Sequence, residues 1–97
     1  SFEKFLSLLH PDDRAIAISR VEAFQAGTEE AANNLRVIRP DGTCIWIRSQ
    51  ARTTRDSDGN LIRVEGIDQD ITAQRLANEA RLESERRLNA AVELAGL

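Results

Sequence analysis

One cysteine, one histidine, one lysine and two prolines are all that this 97-residue chain holds of those residues. The lone Cys44 excludes an intrachain disulfide and leaves no thiolate cluster to hold a metal, which fits a reducing compartment and predicts a cytoplasmic location. No apolar run approaches the ~18 residues of a membrane span, and no charged-then-apolar leader is present, so no direct membrane contact is expected. Neither sign of charge dominates. Thirteen basic residues face sixteen acidic ones, which gives no electrostatic footprint for nucleic acid.

Catalytic parts are missing as well. No Gly-rich phosphate loop follows a strand, no Ser or Cys has a second histidine to serve it, and the acids cluster at turns and helix ends. The chain is read as non-enzymatic, with no cofactor or metal of its own. Its length allows one small domain with a marginal core.

What is present is strongly patterned. Phe2, Phe5, Leu6, Leu8 and Leu9 predict a short helix over about 2–9. Pro11 suits a helix's first turn, Asp12 and Asp13 suit its positive end, and Gly27 suits its C-terminus, so a second helix is predicted over 11–26. From Asn33 the apolar period becomes two. Strands over 33–39, 43–55 and 61–70 are separated by the turns Pro40-Asp41-Gly42 and Asp56 to Asn60, the latter centred on Asp58 and Gly59. In the second strand Ile45, Ile47 and Ala51 make the better core set. Trp46, with Arg48, Gln50 and Arg52 at the same parity, is placed on the outer face, although it would also suit the lining of a pocket. From Thr72 onward the chain is rich in Ala, Leu, Glu and Arg without proline, and a long helix with the pairs Arg75/Glu79, Arg81/Glu85 and Glu83/Arg87 is predicted. Leu76, Leu82 and Leu88 recur every six residues, which keeps no heptad register, while Leu88 and Val92 begin a terminal stripe.

"HPDDR" at 10–14, "RPDG" at 39–42, "IWI" at 45–47, "RDSDGN" at 55–60 and "GIDQDIT" at 66–72 follow one another in a way that resembles the C-terminal part of a PAS domain with its PAC motif. The resemblance implies an α+β fold: a partial PAS domain over 1–72, with two helices and a three-stranded antiparallel meander, then an outgoing signalling helix over 73–97. By the same likeness about fifty residues carrying two further strands should precede Ser1, and "SERRLNAAVELAGL" looks like the run-in to another PAS domain. The implied function is sensory relay through a junction at Asp70, Ile71 and Thr72 to a downstream output domain of the same protein, a histidine kinase or cyclic-dinucleotide enzyme. The alternative is a ligand-free dimerisation scaffold.

Local chemistry weighs against the other branches of that family. Asp70 or Thr72 would also serve as a plain N-cap, worth about 1 kcal/mol. His10 stands at the start of its helix, away from where haem-binding relatives place a ligand, and a capping or surface role is expected. Cys44 is on a strand rather than on the segment of a flavin-reactive cysteine, and edge or buried packing is expected for it. Asp56, Asp58 and Asn60 lack the order and distal Glu of a calcium loop. Association as a homodimer is expected, with Trp46, Leu76, Leu82, Leu88 and Val92 as candidate interface residues.

Overall fold

A computed structural model describes residues 1–96. Two reversals of the chain fix its sheet. At the first, the Asp41 carboxylate accepts the N–H (2.9 Å) and hydroxyl (2.7 Å) of Thr43, while Gly42 takes φ +88°, a conformation that a side chain would strain. At the second, Asp56 Oδ1 accepts the N–H groups of Asp58 and Asn60, so that carboxylate is spent inside the turn. Strands β1 (Glu30–Ile38), β2 (Cys44–Arg55) and β3 (Leu61–Asp70) therefore form an antiparallel meander in the order β1-β2-β3.

Register separates the two faces. Leu35 stands opposite Ile47 and Asn33 opposite Ser49 on the inner face, while Arg36 opposes Trp46 and Asn34 opposes Arg48 on the outer one. Helices α1 (Phe2–Leu8) and α2 (Arg14–Gln25) supply the inner layer. Leu9, Ala17, Leu35 and Ile47 form the core, flanked by Phe5, Leu6, Val37 and Ile45. A polar tie crosses the same interface, where Arg20 donates to Ser49 Oγ at 2.9 Å.

The predicted helix over 11–26 is interrupted at its start. Pro11–Asp13 form a 3₁₀ turn and α2 begins only at Arg14. The cause lies on β1. Leu9 is extended and bridges to Val37, the His10 N–H donates to Arg36 O at 2.8 Å, and the Arg36 N–H donates to Asp13 Oδ2 at 2.7 Å. Residues 9–13 thus cover one edge of β1, and Asp13 serves Arg36 rather than the α2 dipole. His10 is a cap, with Nδ1 accepting the Asp12 N–H. β1 also starts three residues before its predicted beginning, at Glu30, because Glu29 O accepts the Thr53 N–H and prolongs the ladder. Cys44 is exposed at the head of β2, contrary to the packing expected of it, since the adjacent turn leaves that end of the strand uncovered.

The opposite edge of the sheet is open. All ten residues of β3 are exposed, including Ile62, Val64 and Ile67. Helix α3 (Thr72–Leu94) buries none of its residues, and the molecule is correspondingly elongated at 66 × 33 × 19 Å. Two of its predicted pairs form, Arg81–Glu85 at 2.9 Å and Glu83–Arg87 at 3.1 Å. The third does not, because Arg75 lies over Trp46 instead of reaching Glu79. Among the described residues no helix is long and apolar enough to cross a membrane.

Candidate functional site

The root of α3 is fastened to the middle strand rather than to the strand that precedes it. β3 ends at Asp70, opposite Ile47. The chain then turns across β2. The Ile71 N–H donates to Trp46 O at 2.9 Å, the Trp46 N–H donates to Thr72 Oγ1 at 2.9 Å, and Ile71 is only 9% exposed. Ile71 O accepts the Arg75 N–H at 2.9 Å, which opens the helix. One residue of β2 thereby holds both Ile71 and Thr72, where the helix begins.

The cap expected of Asp70 or Thr72 falls to Asp70. Ile71 occupies the N-cap position and no side chain caps it, since the Thr72 hydroxyl is committed to β2. Asp70 does accept a first-turn donor, the Thr72 N–H, at 2.9 Å, and its other oxygen lies 3.9 Å from Arg39 Nη2. The Thr72 N–H first, and secondarily Arg39, hold the Asp70 carboxyl below the usual carboxylate range. Arg39 immediately precedes Pro40, Asp41 and Gly42, so the first turn adjoins the junction, whereas Asp58 and Gly59 stand at the far end of β2.

Side chains on the outer face extend the connection. Arg75 lies over the Trp46 ring at 3.8 Å from its centroid, and Arg36, the cross-strand neighbour, lies at 5.4 Å. Arg36 in turn donates from Nε and Nη2 to the two oxygens of Asp13, at 3.0 and 2.7 Å. Asp13, Arg36, Trp46 and Arg75 therefore make one contiguous set from the helical layer, past β1, to α3. The hydrogen bonds from Arg36 hold the buried Asp13 carboxyl below its ordinary range despite desolvation.

Of the expected interface residues, Trp46 is half-buried under Arg75 and Leu82 is half-buried, while Leu76, Leu88 and Val92 are exposed. The sequence did not single out Asp13, Arg36, Arg39 or Arg75 as members of this arrangement. Counting back from the "RPDG" turn sets Arg36 opposite Trp46. The other three depend on how loops and α3 cross the sheet, which periodicity does not encode. Among the described residues no cluster of three or more His, Cys, Asp or Glu is placed to hold a metal.

A family model described as the PAS fold matches residues 1–68. The uncharacterized protein y4lL of Sinorhizobium fredii (strain NGR234) is 36% identical over 83 residues, which are 84% of this chain and 10% of that protein. This chain thus spans about a tenth of that relative's length. Among solved structures, a sensory box histidine kinase/response regulator from Burkholderia thailandensis superposes with a TM-score of 0.67 at 27% identity, covering 84% of this chain and 63% of that one. The N-terminal domain of a diguanylate cyclase with PAS/PAC sensor from Marinobacter aquaeolei gives 0.70 at 25% identity, covering 77% and 69%. The PAS fold is a sensor fold rather than a catalytic one. With its helical layer, three-stranded meander and Asp-Ile-Thr junction, the chain belongs to the PAS-fold family.

Proposed function

We propose that the chain is a sensory signal-relay module that passes the state of its sheet through Asp70, Ile71 and Thr72 to α3 and on to an output domain in the same protein. The observation that carries this reading is the double hydrogen bond between the Trp46 backbone and the Ile71–Thr72 root of α3. A shift of β2 at Trp46 moves both partners together. No residue of α3 is buried, so the root is what fixes the pose of the helix. With about 1.5 Å of rise per residue, its 23 residues make a lever of roughly 35 Å. The histidine kinase and diguanylate cyclase among the similar structures support an output domain of one of those kinds. In the full-length protein, replacing Asp70 and Thr72 by alanine is expected to uncouple output from stimulus while the domain stays folded; an undiminished response would reject the relay.

Association of two chains is part of the same proposal, and a ligand-free dimerisation scaffold is the second reading. The exposed Ile62, Val64 and Ile67 on the open strand, with Leu76 and Leu88 on α3, favour it. Light scattering over a range of concentrations should give twice the 10.8 kDa of the single chain. A constant single-chain mass would exclude self-association through these surfaces.

A further inference from the structure

Between α3 and the outer face of the sheet lies a cleft of about 580 Å³ whose charge is all of one sign. Arg48 of β2 and Arg75 and Arg81 of α3 line it, with the amide side chains of Asn34, Gln74 and Asn78 and without any carboxylate. The chain as a whole carries a net charge of −3. Three arginines converging on one cleft are thus set against the general balance of the molecule.

Arg75 is held in a fixed pose on the wall of this cleft. Its guanidinium lies over Trp46, 3.8 Å from the ring centroid. Stacking on an aromatic ring uses the face of a guanidinium and leaves its in-plane donors for a planar or tetrahedral oxyanion. Arg36, beside the same ring, shows the contrast, because its donors are taken by Asp13. Arg81 is held by Asn78 Oδ1 at 2.8 Å and by Glu85 at 2.9 Å, an exposed pair that a bound anion can rearrange at little cost.

From the carboxylate-free cleft on which Arg48, Arg75 and Arg81 converge, with Arg75 held in place over Trp46, we infer a binding site for a small molecule bearing a phosphate or carboxylate group, held by these three arginines. A cleft of this size is in the range that takes small molecules. The site adjoins the junction proposed as a relay, since Ile71 also lines the cleft, but binding there does not require that reading.

Trp46 is the only tryptophan, so its fluorescence reports the site directly. The 97-residue chain is titrated with inorganic pyrophosphate and, separately, with citrate, at ionic strength held constant with sodium chloride. A saturable change is expected, and the probe that saturates at the lower concentration distinguishes phosphate from carboxylate chemistry. Arg48→Ala and Arg81→Ala, both at exposed positions, should each weaken binding about tenfold. Arg52→Ala, on the same face but outside this cleft, should leave it within about twofold. No saturation with either probe, or equal weakening by Arg52→Ala and Arg48→Ala, would overturn the assignment. Because both readouts are of binding and not of signalling, failure here is distinguishable from failure of the relay.

Discussion

Replacing Asp13 by alanine is expected to cost about 3 kcal/mol of folding stability, at the lower end of what removing one partner of a buried ion pair costs. Asp13 is 5% exposed, and its carboxylate accepts three hydrogen bonds from one residue, the N–H, Nε and Nη2 of Arg36. Alanine would leave the edge N–H of β1 and the guanidinium without that acceptor, and residues 9–13 would lose a bond that holds them along the strand. The pH dependence should change in a defined direction. The carboxyl titrates below its ordinary range because of those bonds. Its contribution is therefore complete above the unfolded value of about pH 4 and is lost as pH falls through the lower folded value. Urea melts between neutral and acid pH should show Asp13→Ala less stable at neutrality and flatter than the parent below about pH 4. A neutral-pH loss under about 1 kcal/mol would show that Asp13 is dispensable.

Leu35→Ala should be of similar size, about 3 kcal/mol, by lost transfer energy plus the cavity that remains. Leu35 is 0% exposed and lies at the centre of the core with Leu9, Ala17 and Ile47. It belongs to β1, which packs on the helical layer and pairs with β2, so its neighbours have little freedom to collapse into the space. Leu76→Ala on α3 is the matched control, since Leu76 is 61% exposed and its loss should fall within about 0.5 kcal/mol. Thermal melts of the two variants would separate a core formed by the inner face from one shared with α3. Equal losses would contradict the placement of α3 outside the core.

Much of this was legible in the sequence for a physical reason: period two and turn chemistry are local. The third strand and the start of α3 fall where alternation and helix propensity place them, at Leu61–Asp70 and Thr72. The turns at Pro40-Asp41-Gly42 and Asp56 to Asn60 are closed by their own aspartates. What was not legible depends on tertiary crossing. The second helix looked continuous from Pro11 because nothing local shows that Asp13 will be drawn to Arg36, 23 residues away. Arg75 looked like the partner of Glu79 for the same reason, and Trp46 takes it instead. Asp70 and Thr72 both read as caps, yet Thr72 finds its acceptor and donor on β2, a strand that begins 28 positions before it. The end of β3 and the start of α3 are thus set locally, whereas the contacts of Ile71 and Thr72 with β2 follow from register.

The central claim is that the junction sets the pose of α3. Cys44 is the only cysteine and is exposed near Trp46, so it accepts a spin label directly, and Asn89→Cys places a second label on an exposed position of α3. Pulsed electron–electron resonance between the two labels should give a narrow distance distribution with the junction intact and a broad one in the Asp70→Ala, Thr72→Ala variant. An equally narrow distribution at the same distance in both would contradict the account, because the helix would then be held without the Asp70 and Thr72 side chains.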